Sequence, residues 1–309
     1  MAQQRSQIAR PFTFLSTWRS LPAYELLSYI FMFASMPMLF YRIQTYDRSI
    51  LVTIVYSILC LYSGFFAALI WNDITDVDID SVSHPDRPIP SGRITSKKFF
   101  AIALFFSFTT FLFAYLISLW CLLLVGFAAL FVTFHNLYFK KKVKLPAYSE
   151  IFTPIQWCIV PIFGFLAVVS NNLTMLVILV VLTYFADNAH DLAEGIHDVE
   201  GDRKSGVRTY ATSFGEKTAA KVSFAMFFIS GIIGIILFYK SILTPIFLVL
   251  FLVVWLYTMY QSYKLLKAET KDMKKLGALV GRRGFNYFLI IYDIIFLDVF
   301  IQLLRTTYF

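Results

Sequence analysis

Long apolar stretches dominate this sequence and restrict what it can fold into. The chain of 309 residues is 59% hydrophobic and only 15% charged. A helix needs about 20 apolar residues to cross a bilayer. Nine stretches approach that length, at roughly 22–41, 50–71, 99–117, 119–137, 151–169, 173–190, 219–239, 243–261 and 287–304. Because only helices and closed barrels satisfy their backbone within lipid, we predict an all-α integral membrane protein, a bundle of nine transmembrane helices.

Two parts of this pattern are irregular: the continuous apolar run that covers spans 3 and 4, and the fifth span. Apolar sequence runs almost without interruption from Phe99 to Phe139, about twice the length that one helix needs to cross a bilayer. We therefore predict two helices joined by a tight hairpin at Ser118. In the fifth span, Pro154 and Pro161 predict a kinked helix, since proline removes a backbone hydrogen bond.

Basic residues are distributed unevenly between the two sides that nine spans define. The N-terminus and the loops after spans 2, 4, 6 and 8 hold 23 of the 27 Lys and Arg residues. Cytoplasmic loops are enriched in Lys and Arg, so we expect the basic side to face the cytoplasm. The net charge of +8 then follows from orientation and does not indicate a nucleic-acid partner. We expect residues 1–21 to form a cytoplasmic, interfacial segment and residues 22–309 to form the membrane domain.

An acidic stretch follows span 2. Asp73, Asp76, Asp78 and Asp80 lie within eight residues, directly after Asn72. In a helix Asn72, Asp76 and Asp80 share one face because they are four residues apart, and stacked oxygen ligands of this kind suit Mg²⁺. Ionisable residues at the end of a span are functional candidates by default. The alternative is an ordinary helix cap or a solvated turn.

A basic, proline-rich loop comes next. It contains Arg87 and Arg93, and Lys97 and Lys98 follow at the start of span 3. Basic groups close behind carboxylates indicate an anion site, with a metal on one flank and Arg or Lys on the other. For the two lysines, the excess of positive charge in cytoplasmic loops is an equally good explanation.

Span 6 ends in a second acidic cluster. Five acids recur at steps of three and four residues, which places them along one helical face: Asp187, Asp191, Glu194, Asp198 and Asp202. Such crowding of like charge is unfavourable unless a cation compensates it. Basic residues follow, as they do after the first cluster. Since both clusters fall on the same side of the membrane, we predict that they face each other and hold Mg²⁺ ions against a polyanion.

The two clusters resemble the paired motifs of the UbiA superfamily of intramembrane prenyltransferases. The first reads Asn72-Asp73-x-x-Asp76-x-x-x-Asp80, and the second reads Asp198-x-x-x-Asp202. The resemblance extends over the whole chain and implies a nine-helix bundle with a central cavity that opens sideways to lipid. It also implies a prenyl diphosphate as substrate, Mg²⁺ as cofactor and a lipophilic acceptor as a further partner.

The resemblance also implies roles for particular residues. The metal ligands are Asn72, Asp73, Asp76, Asp80, Asp198 and Asp202. The catalytic set is Asp76, Asp80, Asp198 and Asp202, because the cations they bind would neutralise a diphosphate leaving group. The diphosphate-binding set is Asn72, Arg87, Arg93, Tyr138, Lys142, Arg203 and Arg208. Within it, Tyr138 and Lys142 match a Tyr-x-x-x-Lys element of the loop after span 4.

Within the superfamily, the two motifs look most like those of the branch that includes digeranylgeranylglyceryl phosphate synthases and chlorophyll-type enzymes. One part of the sequence departs from the pattern of that branch. Where that branch has Arg-Glu-x-x-Lys-Asp-x-Glu-Asp, this chain has His190-Asp191-x-x-Glu194-Gly195-x-His197-Asp198. Two basic residues are thus replaced by His190 and Glu194, and one acid is replaced by Gly195. The departure affects the region expected to recognise an acceptor and leaves the diphosphate motifs intact.

Two enzymatic functions are compatible with these residues. In a prenyltransferase, an acceptor nucleophile captures the allylic cation that ionisation produces. In a UbiA-type terpene cyclase, an internal double bond captures it and no acceptor is needed. The 34 Phe, 18 Tyr and 5 Trp residues could stabilise a cation in either case. A third possibility, a transporter or lipid-binding bundle, does not explain the paired acidic motifs.

Overall fold

The computed structural model describes residues 21–43, 50–83, 85–139 and 145–308. Within these ranges the chain is built from helices, and nine of them are long and apolar enough to cross a membrane. The prediction of nine membrane helices is confirmed. The predicted interfacial segment lies outside the described residues, apart from residue 21.

The helices follow one another along the chain with short connections. Their bounds are α1 (Ala23–Ile43), α2 (Ile50–Thr75), α3 (Val77–Ser83), α4 (Ser96–Ile117), α5 (Leu119–Phe134), a π-helical turn (His135–Phe139), α6 (Tyr148–Trp157), α7 (Ile159–Ala167), α8 (Leu173–Ser205), α9 (Tyr210–Phe214), α10 (Glu216–Lys240), α11 (Pro245–Leu266) and α12 (Thr270–Tyr308). The nine predicted spans correspond to α1, α2, α4, α5, the pair α6–α7, α8, α10, α11 and α12.

The predicted break between spans 3 and 4 is confirmed. α4 ends one residue before Ser118, and α5 begins one residue after it. Ser118 has an extended backbone (φ −165°, ψ 158°), and its hydroxyl accepts a hydrogen bond from Cys121 N–H at 3.1 Å. A serine in this position is a favourable N-cap, so one residue ends α4 and caps α5.

The predicted kink in the fifth span is also confirmed. The span is divided at Cys158 into α6 and α7. Pro161 lacks the N–H that would bond to the carbonyl of Trp157 in a continuous helix. The N–H of Cys158 instead donates to the carbonyl of Ile155 at 3.2 Å, a tighter turn than that of an α-helix.

Two helices extend well beyond the predicted spans. α8 continues past 190 to Ser205, and α12 begins at Thr270 rather than at 287, so the predicted loop between spans 8 and 9 is largely helical. Hydropathy marks the part of a helix that fits lipid and does not fix its ends. Here packing supports the extensions: Gly277 and Gly281 bring α12 against α8, and a Cβ on Gly277 would lie only 2.9 Å from the carbonyl oxygen of Ala193.

α8 is the central helix of the bundle. It packs against α10 and α12 and also contacts α6, α7 and α9. Apolar residues on its buried face, including Leu179, Leu182, Ala186 and Ala189, lead directly into the acidic cluster. The helix that carries the second acidic motif is therefore held in place by several others.

Candidate active site

The first acidic stretch continues the helical path of α2 into α3. The N–H of Asp76 donates to the carbonyl of Asn72 at 2.9 Å, and the N–H of Asp80 donates to the carbonyl of Asp76 at 2.8 Å. These three residues are therefore one turn apart on one face, as predicted. Asp73, Asp76 and Asp80 are buried, whereas Asp78 is exposed. The stretch is thus a largely buried carboxylate cluster and not a solvated turn.

Arg87 lies against this cluster. Its Nη1 is 2.7 Å from both carboxylate oxygens of Asp80 and 3.6 Å from Oδ1 of Asp73. Partial burial strengthens such ion pairs, because water screens them less. Arg93, by contrast, is exposed, and its guanidinium donates to the carbonyl of Asp86 within its own loop.

The second acidic cluster forms a stripe along the C-terminal half of α8, as predicted. Exposure increases from Asp187, which is buried, through Asp191, which is partly exposed, to Glu194 and Asp198, which are exposed. Asp202 is half-buried and interacts with the Thr209 side chain and with the charge of Asp198. The stripe thus runs from the interior of the bundle to its surface.

Basic residues surround the end of α8. Arg203 and Arg208 are exposed, and between them the helix ends at Gly206, whose positive φ (+72°) suits a glycine cap. Glu200 makes a surface ion pair with Lys274 at 3.1 Å. Glu200 therefore points away from the stripe and belongs to the solvated surface.

Tyr148 connects α6 to the first motif. It is buried, and its hydroxyl lies 3.1 Å from Nε2 of His135 in the π-helical turn. The π-helical turn also packs against α2, the helix that leads into the first motif. The backbone N–H of Tyr148 donates to the carbonyl of Arg208 at 3.1 Å. Tyr148 thus also contacts the segment that follows the second motif.

Glu150, in the same turn of α6, faces the second motif. Its Oε1 accepts a hydrogen bond from Tyr210 N–H at 2.7 Å, and its carboxylate interacts with the charge of Asp202. One turn of α6 therefore contacts the π-helical turn that packs against α2, and it also bonds to Arg208 and Tyr210, which follow the second motif. The two acidic motifs lie at the same end of the bundle.

The predicted diphosphate-binding residues fall into three groups. Arg87 contacts the carboxylates directly. Arg93, Arg203 and Arg208 are exposed around the same two motifs, and Tyr138 lies half-exposed in the π-helical turn. Lys142 lies outside the described residues.

Three residues of this site were not among the predicted ones. His135 and Tyr148 follow no motif, and their contact depends on the π-helical turn, which has no recognisable sequence pattern here. Glu150 did carry a signal, because it is a lone acid at the start of an apolar span, and such residues are functional candidates.

A further group of acidic residues lies deeper along α8. Ligand atoms of His190, Asp191 and Glu194 lie within 4.8 Å of one another. Nε2 of His190 is 3.0 Å from Oδ1 of Asp187, and its ring contacts that of Phe285. This is the region in which the sequence departs from the motif of its branch. The departure therefore leaves a buried His190 between Asp187 and Asp191, with Glu194 exposed beside them.

The first motif has the composition of a Mg²⁺ site. Its ligands are all oxygens, the donors that Mg²⁺ prefers, and Asp73, Asp76 and Asp80 are buried together. Buried like charges are unfavourable without positive charge beside them, and Arg87 supplies such a charge at Asp80 and Asp73. The oxygen ligands present fit a hard divalent cation.

Comparison with known proteins places this chain in a family. Residues 28–280 match the profile of the UbiA prenyltransferase family. The digeranylgeranylglyceryl phosphate synthase of Pyrococcus horikoshii is 30% identical over 165 residues, which are 53% of this chain and 58% of that protein. The matched stretch thus spans little more than half of either chain.

Solved structures share the fold. The apo structure of a UbiA homologue from Aeropyrum pernix K1 has a TM-score of 0.70 at 20% sequence identity, and the match covers 92% of this chain and 100% of that one. A UbiA homologue from Archaeoglobus fulgidus bound to GPP and Mg²⁺ has a TM-score of 0.54 at 14% identity, covering 85% of this chain and 97% of that one. The resemblance inferred from the two motifs is confirmed, and this multi-pass membrane protein belongs to the UbiA prenyltransferase family.

Proposed function

We propose that the protein is a Mg²⁺-dependent prenyltransferase that ionises a prenyl diphosphate and transfers the prenyl group to a lipophilic acceptor. The observation that carries this proposal is that one turn of α6 joins the segments that bear the two acidic motifs. Tyr148 contacts the π-helical turn packed against α2, and Tyr148 and Glu150 bond to the segment that follows the second motif. Carboxylates that converge in this way can hold divalent cations against one diphosphate. The binding of GPP and Mg²⁺ by the Archaeoglobus fulgidus homologue supports the same substrate class here.

The metal ligands proposed are those of the two motifs. Asn72, Asp73, Asp76 and Asp80 would hold cations on one side of the diphosphate, and Asp198 and Asp202 would do so on the other. When bound, Mg²⁺ supplies positive charge that stabilises the departing diphosphate.

The basic residues of the chain complete the diphosphate site. Arg87 is already held at the first motif by Asp80, and a guanidinium is well suited to bind phosphate oxygens. Arg93, Arg203 and Arg208 supply further positive charge at the same end of the bundle. Lys142 is proposed to add another positive charge, and the hydroxyl of Tyr138 is proposed to donate a hydrogen bond. In this proposal they attract the diphosphate and orient it so that the prenyl chain enters the bundle.

The reaction then consists of one bond broken and one formed. The C1–O bond of the prenyl diphosphate breaks, and the diphosphate leaves with the electron pair. The allylic cation forms a bond with the acceptor nucleophile, which afterwards loses a proton. Four carboxylates of the chain act on the first step, because they would hold the Mg²⁺ whose charge stabilises the leaving diphosphate: Asp76, Asp80, Asp198 and Asp202.

Acidic residues beyond the diphosphate motifs favour an acceptor without negative charge. Asp187 is buried and Asp191 is partly exposed on α8, whereas Glu194 is exposed, and His190 contacts Asp187 and Asp191. A phosphate on the acceptor would be repelled by these carboxylates. We therefore infer a neutral, hydroxyl-bearing lipophilic acceptor rather than a glycerol phosphate.

Product analysis with purified protein tests the proposal. The protein is incubated with Mg²⁺ and geranyl, farnesyl or geranylgeranyl diphosphate, with a neutral quinol, with a glycerol phosphate lipid or with no acceptor. Prenylation of the neutral acceptor, dependent on Mg²⁺, is the expected result. Turnover without Mg²⁺, or no consumption of any prenyl diphosphate, would contradict the proposal.

A terpene cyclase is the second candidate, and one arrangement of aromatic rings favours it. Tyr29 lies 4.5 Å from Phe65 and 5.8 Å from Trp157 between ring centroids, and Trp157 lies 5.6 Å from Phe288. These rings come from four helices, and aromatic faces stabilise cations. In the same assay, release of a cyclic hydrocarbon without any acceptor would favour the cyclase.

A further inference from the structure

Glu150 is a buried acid that belongs to neither motif. Only 4% of its surface is exposed. Its Oε1 accepts the hydrogen bond from Tyr210 N–H, whereas its Oε2 is buried and has no hydrogen-bond partner among the residues that the structure describes. A buried carboxylate oxygen without a partner carries a substantial energetic cost. A ligand that binds this oxygen would remove the cost.

Gly195 provides the space for this carboxylate. A Cβ placed on Gly195 would lie 3.3 Å from Oε1 of Glu150 and 3.7 Å from Cβ of Thr209. That separation is tighter than ordinary van der Waals contact, so a Cβ at position 195 would require Glu150 to shift by a few tenths of an ångström. Gly195 is also the position at which the second motif has lost an acid. The carboxylate reaches the same place from α6.

The surroundings of Glu150 are acidic. Its charge interacts with that of Asp202 in the second motif and with that of Asp191, deeper along α8. Carboxylates that interact in a partly buried region repel each other unless a cation lies between them. The burial, the oxygen without a partner and the nearby motif residue all point to a cation as the ligand.

We propose that Glu150 is a further carboxylate of the metal site at the second motif, where Oε2 binds the cation held by Asp198 and Asp202, directly or through a water molecule. The proposal rests on the metal-dependent function proposed above. In this proposal α6 contributes a carboxylate that belongs to neither motif, and Gly195 of α8 leaves room for it.

A purely structural role for Glu150 makes a different prediction. Its bond to Tyr210 ties α6 to α9, and a glutamine at this position retains the acceptor oxygen while losing the charge. Under a structural role, Glu150→Gln therefore behaves like the wild type. Under the proposed role, Glu150→Gln loses metal affinity and, without metal, is at least as stable as the wild type, because the repulsion from Asp202 and Asp191 is removed.

The test measures metal binding without turnover. Mn²⁺, as a paramagnetic substitute for Mg²⁺, is titrated into detergent-purified protein with inorganic diphosphate, and bound Mn²⁺ is measured by electron paramagnetic resonance. We expect Glu150→Gln to weaken Mn²⁺ binding by roughly 10- to 100-fold, the usual effect of losing a group that supports a metal. The matched control is Glu200→Gln, a nearby exposed acid paired with Lys274, and it should bind Mn²⁺ as the wild type does.

A relocation of the carboxylate provides the stronger test. Glu150→Ala empties the space beside Gly195, and Gly195→Asp in the same chain returns a carboxylate to that space from α8. We expect Glu150→Ala alone to bind Mn²⁺ weakly and the double variant to recover most of the affinity. Wild-type affinity in Glu150→Gln would overturn the proposal, and so would a double variant that folds but recovers no affinity.

These outcomes separate this proposal from the proposed function. Equal binding by the wild type and Glu150→Gln, with Mg²⁺-dependent prenyl transfer intact, refutes only the role of Glu150. Binding that depends on Glu150 in a protein that consumes no prenyl diphosphate refutes only the proposed function. If the wild type binds no Mn²⁺, both are wrong.

Discussion

Burial separates the carboxylates of the first motif into two kinds. Asp76 and Asp80 are buried on one face, whereas Asp78, between them in sequence, is exposed. A carboxylate that binds a catalytic cation loses that ability when it becomes an amide, while an exposed one loses only a surface charge. We therefore expect Asp76→Asn to reduce turnover by more than about 100-fold, or about 3 kcal/mol of transition-state stabilisation. Asp202→Asn should have a similar effect.

Asp78→Asn is the matched control for this experiment, since it changes the same chemical group in the same helical segment. Steady-state turnover of a prenyl diphosphate at saturating Mg²⁺ is the measurement, and the control should retain most of the activity. Near-normal turnover in both Asp76→Asn and Asp202→Asn would mean that the chemistry takes place elsewhere.

Under the proposed function, Arg87 and a metal ion would have the same electrostatic role at the first motif. Its guanidinium bonds to Asp80 and lies near Asp73, so Arg87→Ala leaves buried carboxylates with less positive charge. We expect the free energy of unfolding of this variant in metal-free buffer to fall by about 1.5–3 kcal/mol, the usual contribution of hydrogen bonds to a charged group. Its melting temperature should fall accordingly. Because bound Mg²⁺ restores positive charge, added Mg²⁺ should raise the melting temperature more in Arg87→Ala than in the wild type.

Melting curves with and without Mg²⁺ check this prediction. Lys97→Ala, which removes an exposed positive charge at the start of α4, should respond to Mg²⁺ as the wild type does. An identical Mg²⁺ response in Arg87→Ala and the wild type would contradict the idea that the guanidinium and the metal balance the same carboxylates.

At the scale of elements, glycines determine how closely α12 approaches α8 and α10. A Cβ on Gly284 would lie 2.5 Å from Cζ of Phe227 and 2.7 Å from Cβ of His190. Gly284→Ala must therefore push α12 outwards, and we expect a loss of about 1–3 kcal/mol in stability, typical of overpacking. Gly126→Ala in α5 is the control, because a Cβ there meets nothing within 4 Å and alanine favours a helix by about 1 kcal/mol.

Asp298 joins α12 to the start of α11. This buried carboxylate accepts hydrogen bonds from the N–H and hydroxyl of Thr244, at 3.0 and 2.7 Å, and from the N–H of Phe247 at 3.1 Å. A carboxylate at a helix N-terminus is favourable, so we interpret Asp298 as a structural residue. Asp298→Ala should lower the melting temperature markedly while the folded enzyme keeps its KM for Mg²⁺ and prenyl diphosphate.

Glu269→Gln provides a comparison for Asp298→Ala, because Glu269 is an exposed acid in a surface pair with Lys271. Pairs of this kind contribute about 0–1 kcal/mol, so its melting temperature should hardly change. A changed KM for Mg²⁺ in Asp298→Ala, without loss of stability, would assign Asp298 to the active site instead.

For the whole molecule, the sequence was sufficient where local physics decides the structure. The nine spans follow from hydropathy, the break at Ser118 from the length of one apolar run, and the faces of both acidic motifs from the helical period. The lengths of α8 and α12 could not be predicted, because they depend on contacts between glycines of one helix and the backbone of another. The role of Glu150 depends on Tyr210, 60 residues away, and such proximity is not visible in a single sequence.

The orientation of the whole molecule is the remaining property that the sequence predicts. Of 27 Lys and Arg residues, 23 lie on the side that carries both acidic motifs, and this bias predicts that the site faces the cytoplasm. The three cysteines are buried, so a cysteine introduced at the surface can be labelled selectively. Thr218 and Lys240 are exposed at opposite ends of α10. In intact cells a membrane-impermeant maleimide should therefore label Lys240→Cys but not Thr218→Cys, and permeabilised cells should allow labelling of both. The opposite pattern in intact cells would put the acidic motifs, and with them the proposed site, on the outer side of the membrane.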